Sequence, residues 1–169
     1  MNDLVREALN IVEDLGEVVF IGAVAVMLHT KINRESADLD FAVVQDLTDK
    51  FLEEKEYFQF EENGKLVRRT PRGYKVDIYT RDVSRIPLAD VIRTAVDIQI
   101  GKKGKTLKVA SIETLIVAKH RAARFQDADD LRTMARKKFN HIDWELLETL
   151  TDSNVEFSTI QQEMNYYRI

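Results

Sequence analysis

The sequence predicts an α+β domain, in which a mixed β-sheet is packed by helices and followed by a helical C-terminal third. The apolar runs at 18–21 and 39–44 have the length and β-branched content of buried strands. Hairpin signals lie between residues 58 and 109, and residues 111–138 contain no Gly or Pro and read as helical. We therefore expect an α/β core over residues 1–110 and a helical region over 111–169 packed on it, in one compact domain.

The first elements are predicted from apolar spacing. Residues 3–15 carry apolar side chains at helical intervals and stop at Gly16, which predicts an amphipathic helix. The strand at 18–21 is broken by Gly22, and the small and apolar residues that follow favour a buried helix. After the strand at 39–44, the charged stretch 48–58 predicts a helix with Thr48 near its N-cap.

The middle of the chain has the pattern of antiparallel hairpins. The runs FQFEE and KLVRRT flank Asn63-Gly64, a dipeptide typical of a two-residue hairpin turn. A break at 71–73 separates them from the strand-like run YKVDIYT, and a short helix is expected to begin at Pro87. The runs VDIQIG and KTLKVA predict a further hairpin around the Gly101–Gly104 turn.

The C-terminal third is predicted to be helical throughout. Ser111 is a candidate N-cap for a long helix, which we expect to break near Phe125 and Gln126. Two shorter helices are expected in DWELLETLTD and TIQQEMNYYRI.

Composition narrows the class of protein. The chain has 169 residues, 44% hydrophobic residues, no cysteine and a net charge of −4. It contains no apolar run of membrane-spanning length and no signal-peptide pattern at its start. These features exclude disulfides and thiolate metal sites, disfavour a sequence-independent nucleic-acid binder, and predict a cytoplasmic protein without a membrane partner. They do not predict an oligomeric state.

Three aspartates in strand-like surroundings point to chemistry. Asp38 and Asp40 are separated by one leucine, so that on a strand both side chains lie on one face. Burial of both carboxylates without a cation is costly, and Mg²⁺ prefers such oxygen ligands. Asp77 lies in the middle of another strand-like run, and three acids on adjacent strands suit displacement at a phosphoryl centre. The alternative is that Asp38 ends a loop and Asp40 pairs with an arginine.

The order of these motifs carries a family resemblance. Gly22 follows a buried strand and opens a helix, where backbone N–H groups can receive phosphates. The segments FIGAVAVMLH, ESADLDFAV and KVDIY occur in the order strand, glycine turn and helix, acid-apolar-acid strand, and later acid. In this the chain resembles the nucleotidyltransferase superfamily with the polymerase-beta-like fold. The segment VASIETLIVAKHRAARFQDADDL further resembles the AbiEii-like and minimal nucleotidyltransferases.

The resemblance implies a Mg²⁺-dependent (or Mn²⁺-dependent) transfer of a nucleoside monophosphate from an NTP to an acceptor hydroxyl. It implies that Asp38, Asp40 and Asp77 are catalytic metal ligands. The residues expected to bind the nucleotide are Gly22, Ala23, Ser36, Lys119 and Arg124, and those expected to support the site are Arg34, Asp127 and Asp130. In this superfamily the acceptors include tRNA ends, protein hydroxyls and small antibiotics.

Two departures from the family pattern leave alternatives open. Ala23 stands where the family has a second Gly or a Ser, and the gap over residues 24–37 is slightly longer than usual. The second hypothesis is therefore a catalytically weak or inactive binding module with a regulatory role, such as that of one partner in a toxin–antitoxin pair. A third is a metal-dependent nuclease that uses the same carboxylates. Arg68, Arg69 and Arg72 are additional candidates for lining a phosphate or RNA path.

Overall fold

A computed structural model describes all 169 residues. The nine strands are β1 (Val18–Ile21), β2 (Asp38–Val43), β3 (Gln59–Glu62), β4 (Lys65–Arg69), β5 (Lys75–Tyr79), β6 (Asp82–Val83), β7 (Ile86–Pro87), β8 (Val96–Ile100) and β9 (Lys105–Val109). The eight α-helices are α1 (Asp3–Leu15), α2 (Gly22–Thr30), α3 (Asp49–Glu54), α4 (Leu88–Thr94), α5 (Ile112–Ala122), α6 (Phe125–Lys138), α7 (Trp144–Leu150) and α8 (Asn154–Tyr167).

The main sheet is mixed, as predicted. Its seven strands run in the order β3-β4-β5-β2-β1-β9-β8, while β6 and β7 form a separate small hairpin. The β2–β5 and β1–β9 pairs are parallel, and the other pairs are antiparallel. This order places β2, with its two aspartates, between β1, which leads into the glycine turn, and β5, which carries the third aspartate.

Several element boundaries agree with the prediction from local signals. The Thr48 hydroxyl accepts a hydrogen bond from the Phe51 N–H at 3.1 Å, and Ser111 caps α5 by accepting from the Thr114 N–H at 3.1 Å. Asn63 and Gly64 both have positive φ, of 50° and 77°, as a two-residue hairpin turn requires. The predicted N-caps and hairpin turn are confirmed. They could be predicted from the sequence because each depends only on neighbouring residues.

Three local features differ from the prediction. Helix α8 begins at Asn154, five residues before the predicted segment TIQQEMNYYRI. The break in the long helix falls at Ala123 and Arg124, two residues earlier than expected, where Ala123 adopts a left-handed φ of 51°. The hairpin of β6 and β7 was not predicted, because strands of two residues are too short to show an alternating pattern. Its turn residues Ser84 and Arg85 both have positive φ without being glycine or asparagine.

A single hydrophobic core joins the sheet to the C-terminal helices. The cluster contains 41 buried residues and runs from Leu4 in α1 to Met164 in α8. Phe20 and Phe41 are fully buried on neighbouring strands, and their rings meet edge to face with centroids 5.8 Å apart. None of the helices combines the length and the apolar character needed to span a bilayer.

Arg72, in the turn between β4 and β5, is held by helix α1 and does not line an open path. Its Nε lies 2.7 Å from Glu7 Oε1, and its Nη2 lies 2.7 Å from Asp14 Oδ2. Tyr57 donates its phenolic hydrogen to the same Asp14 carboxylate at 2.6 Å. Because Glu7 is only 3% exposed, Arg72 neutralises a buried carboxylate and thereby ties the turn before β5 to α1.

Arg68 and Arg69 are likewise engaged in ion pairs. Arg68 Nη2 lies 3.0 Å from Asp49 Oδ1, and Arg69 Nη2 lies 2.7 Å from Glu62 Oε1. With Arg72, these pairs give the three arginines a structural role in fastening the β3–β5 region. The expectation of a phosphate or RNA path through these residues gains no support from their positions.

We predict that Arg72→Gln lowers the free energy of unfolding by roughly 2–4 kcal/mol, because it leaves the buried Glu7 carboxylate without its partner. The measurement is urea denaturation at pH 7. Arg6→Gln is the control, because Arg6 forms an exposed pair with Asp3, and such pairs contribute about 0–1 kcal/mol. Equal effects of the two substitutions would contradict this role of Arg72.

Candidate active site

The three aspartates lie on adjacent parallel strands and share one face of the sheet. Asp40 on β2 is directly opposite Asp77 on β5, and Asp38 is opposite Lys75. Alternation along β2 places Asp38 and Asp40 on the same face. The predicted grouping of these three residues is thus reproduced by the register of the two strands.

Gly22 brings the start of α2 against the Asp40 carboxylate. The antiparallel pairing of β1 with β2 sets Ile21 opposite Asp40, so that the next residue lies beside this side chain. A Cβ atom at position 22 would overlap Asp40 Oδ2 and lie 3.1 Å from Cγ, and Gly22 has a φ of 62°. Only glycine meets both requirements, since other residues rarely adopt this φ and have a side chain that would collide.

The beginning of α2 offers backbone groups for an anion. The N-cap residue Ile21 provides no side-chain hydrogen bond to the first turn, which leaves its amide groups uncapped by side chains. Helix N-termini favour negative charge for this reason and through the helix dipole. Ala23, the departure from the family pattern, is 3% exposed and does not line the adjacent cleft.

The charges of Asp38 and Asp40 are only partly compensated, because Lys75 Nζ lies 3.9 Å from Asp38 Oδ2 and Asp40 has no ion-pair partner. Burial is the largest influence on Asp40, and with the neighbouring carboxylates of Asp77 and Asp38 it raises the pKa of Asp40 to about 6, while Lys119 opposes the rise. Asp38 Oδ1 is buried and has no hydrogen-bond partner. These are the conditions under which a bound cation lowers the cost of ionised carboxylates.

The donor set fits a hard divalent cation. Carboxylate oxygens are the preferred protein ligands of Mg²⁺, which commonly uses one or two of them together with waters and substrate phosphates. Asp38 and Asp40, with Asp77 opposite, provide such oxygens on one face. No group of three or more His, Cys, Asp or Glu side chains is already arranged to hold a metal ion.

A small cleft opens beside Asp40. Its lining includes five of the sequence-predicted site residues, namely Gly22, Asp40, Lys119, Arg124 and Asp127. Ile21, Leu115, Ala118 and Ala122 supply apolar surface to the same cleft. The cleft therefore combines a helix N-terminus, a carboxylate and two cationic residues with apolar walls, which is a suitable combination for a nucleotide.

The remaining predicted residues lie outside this cleft. Arg34, Ser36 and Asp38 line a second, more open hollow, and Asp77 lines a third, beside β4. The Ser36 hydroxyl contacts the backbone N and O of Asp38 at 3.3 and 3.2 Å. Ser36 thus shapes the entry of the chain into β2, and the structure does not bring it into the cleft with Gly22.

Lys119 lines the cleft but is held by two carboxylates. Its Nζ lies 2.6 Å from Asp130 Oδ2 and 3.2 Å from Asp127 Oδ1, and the residue is 7% exposed. Arg124 has a side chain that is 64% exposed and pairs with Asp127 at 2.8 Å. Of the two cations, Arg124 is the more accessible to a ligand.

Tyr79 is a site residue that the sequence analysis missed. It follows Asp77 by two positions on β5, which puts both side chains on one face, and it lines the cleft. Burial is the main cause of its raised pKa, and the carboxylates of Asp40 and Asp77 contribute to it. The i+2 spacing was a usable signal, whereas Val83 and Ser84 reach the cleft only through the unpredicted β6–β7 hairpin.

We predict that Gly22→Ala displaces the Asp40 carboxylate and destabilises the protein by more than the roughly 1 kcal/mol typical of an alanine at positive φ. Gly104→Ala is the matched control, because Gly104 also has positive φ, of 75°, but has open space where its Cβ would lie. The two free energies of unfolding are compared by denaturant titration. A cost at position 22 no greater than that at 104 would contradict the close approach to Asp40.

We predict that Asp40→Asn, in the presence of EDTA, stabilises the protein by roughly 1–2 kcal/mol at pH 8. The folded-state pKa of about 6 exceeds the ordinary aspartate pKa of 3.8, so the folded state loses stability as pH rises from about 4 to 6. The increase in the free energy of unfolding caused by Asp40→Asn is therefore complete above about pH 6 and absent below about pH 4. The measurement is thermal unfolding between pH 4 and pH 8, with Asp46→Asn as the control because Asp46 is exposed. A stabilisation by Asp40→Asn that does not depend on pH would contradict the raised pKa of Asp40.

Comparison with known proteins agrees with this fold and identifies the family. A search of curated proteins gives no match. The fold is similar to that of an antigenic nucleotidyltransferase-like protein from Paracoccidioides brasiliensis, with a TM-score of 0.60, 15% identity, and coverage of 96% of this chain and 85% of that one. It is also similar to JHP933 from Helicobacter pylori, with a TM-score of 0.55, 16% identity, and coverage of 98% and 89%. The family model described as "Nucleotidyltransferase of unknown function (DUF6036)" matches residues 2–169, and the chain therefore belongs to that nucleotidyltransferase family.

Proposed function

We propose that the protein transfers a nucleoside monophosphate from an NTP to a hydroxyl group of an acceptor and releases pyrophosphate. The observation that carries the proposal is the juxtaposition of Asp40 with Gly22 on one side and Asp77 on the other, at the wall of a cleft containing Arg124. Family membership supports nucleotidyl transfer as the class of reaction.

Mg²⁺, or Mn²⁺, is the cofactor proposed for this reaction. Asp38 and Asp40 would hold it, with Asp77 as the third carboxylate, and the uncompensated charge around Asp40 is the physical reason. When bound, a divalent cation neutralises charge that develops on the phosphoryl oxygens during displacement.

The protein's own groups would orient the two reactants. The uncapped first turn of α2 and the Arg124 guanidinium would receive phosphate oxygens, since both present N–H donors at the cleft. The acceptor oxygen would attack the α-phosphorus, the bond to the β-phosphate bridging oxygen would break, and pyrophosphate would carry the negative charge away. Asp77 is the carboxylate proposed to orient the acceptor hydroxyl and take its proton.

The test is transfer of label from an α-labelled NTP in the presence of Mg²⁺. The wild type is incubated with each of the four NTPs and with tRNA, protein and small-molecule fractions of a cell extract. We expect one fraction to be labelled, and we expect Asp40→Asn and Asp77→Asn to reduce labelling by about 100-fold or more, as for loss of a catalytic carboxylate. Asp46→Asn controls for the loss of an exposed carboxylate.

Equal labelling by wild type and Asp40→Asn would refute the proposal. If no fraction is labelled and no NTP with Mg²⁺ raises the melting temperature, the protein is instead a nucleotide-independent module. A stable protein partner in a pull-down would then favour the regulatory alternative. RNA cleavage without any NTP would identify the nuclease alternative.

A further inference from the structure

Five side chains of alternating charge form a continuous chain behind the two aspartates of β2. They are, in order of contact, Arg34, Asp130, Lys119, Asp127 and Arg124, and we call them the ion chain. The end contacts are Arg34 Nε to Asp130 Oδ1 at 2.9 Å and Arg124 Nε to Asp127 Oδ2 at 2.8 Å. Lys119 Nζ lies between the two carboxylates.

The ion chain connects the two hollows beside β2. Lys119, Asp127 and Arg124 line the cleft that contains Asp40. At the other end, Arg34 lines the open hollow that contains Asp38. Arg34 lies in the segment between α2 and β2, four residues before Asp38, and its side chain reaches across to α6.

The two buried acids of the ion chain each have an arginine of their own. Asp127 accepts hydrogen bonds from the Arg124 backbone N and Nε at 3.0 and 2.8 Å, and its side chain is fully buried. Asp130 has a side chain that is 3% exposed and pairs with Arg34 through Oδ1. Two arginines thus balance two carboxylates, and the net charge of +1 resides on the Lys119 ammonium.

The contact of Lys119 with Asp130 is short but poorly directed. The atoms are 2.6 Å apart, yet Asp130 Oδ2 accepts no hydrogen bond of acceptable geometry. The ammonium donates a hydrogen bond to Asp127 Oδ1 at 3.2 Å, whereas its contact with Asp130 is an attraction between charges without a directed hydrogen bond. Lys119 also lies close enough to Asp40 to influence its ionisation.

We propose that Arg34 is a positioning residue that neutralises Asp130, so that the charge of Lys119 stays available to the phosphates in the cleft. This inference rests on the proposed function, because it requires a polyphosphate ligand beside Asp40. Without Arg34, Lys119 would be the sole partner of Asp130, and its attraction to that carboxylate would compete with the phosphates. Arg34 acts on the cleft from outside it, through Asp130.

A purely structural role for Arg34 predicts a different result for phosphate binding by the double variant. If Arg34 only fastens the segment before β2 to α6, loss of either Arg34 or Asp130 breaks this ion pair, and loss of both does not restore phosphate binding. If the arginine acts by charge, removing Asp130 as well restores the balance. The net charge of the ion chain is then +1 in wild type, 0 in Arg34→Gln, +2 in Asp130→Asn and +1 in the double variant.

The experiment measures binding of inorganic tripolyphosphate and of NTP, both with Mg²⁺, by calorimetry on the full chain. We expect Arg34→Gln to weaken both by about 10-fold or more, because it removes one positive charge from the ion chain. We expect Asp130→Asn to bind at least as tightly as wild type, and the double variant to recover to within about 3-fold of wild type. In transfer assays, Arg34→Gln should raise the KM for NTP with a much smaller effect on kcat.

Arg93→Gln is the control, because it removes one charge from an exposed pair with Asp90 on α4. Unchanged binding by Arg34→Gln, or a double variant no better than Arg34→Gln, would overturn the role of Arg34 while leaving the proposed function intact. A wild type that binds neither tripolyphosphate nor any NTP would overturn the proposed function and this inference with it. Arg34→Lys, which keeps the charge, is expected to bind within about 3-fold of wild type, and a loss equal to that of Arg34→Gln would count against a charge effect.

Discussion

The site depends on the contact between the backbone of Gly22 and the carboxylate of Asp40. The antiparallel register of β1 with β2 creates this contact, and the left-handed φ and the lack of room for a side chain restrict the position to glycine. Because the helix start covers one side of the carboxylate, Asp40 is half-buried beside two further acids. Its pKa rises to about 6 mainly for that reason. The fold thus provides both a helix N-terminus and an unbalanced negative charge at the same point, so that a cation and a phosphate would be favoured together.

Positive charge in this region is distributed unequally. Arg72 is paired with Glu7 of α1, Arg68 with Asp49 of α3, and Arg69 with Glu62 of β3. Lys119 and Arg124 face the cleft, but each is also attached to a buried carboxylate. The protein therefore uses most of its cations near the site to neutralise its own acids. Such networks cost desolvation, and the energy of any single pair is a poor guide to its role. The proposed role of Arg34 follows from this distribution, because its pairing with Asp130 changes the net charge left beside the cleft.

Most of the fold could be predicted because its signals are local or periodic. Capping by Thr48 and Ser111, the Asn63-Gly64 turn and the alternation in β2 each depend on a few neighbouring residues. The break between α5 and α6 was placed two residues late, since no Gly or Pro marks it and Ala123 adopts an unusual φ. The β6–β7 hairpin was missed for a similar reason, as its turn residues Ser84 and Arg85 lack the usual Asn-Gly chemistry. Because the hairpin was not predicted, the part of the cleft lined by Val83 and Ser84 was not predicted either.

The sequence by itself determined that Asp38 and Asp40 share a face, that Gly22 opens a helix, and that Asp77 lies within a strand. These are consequences of strand alternation and of the backbone freedom of glycine. The tertiary structure decided which acids meet, because strand order and register set Asp40 opposite Asp77 and beside Gly22. It also decided the partners of the charged residues. Nothing in the sequence indicates that Lys119 and Arg34 pair with Asp130. Ion pairs between distant segments follow from helix packing and not from spacing along the chain.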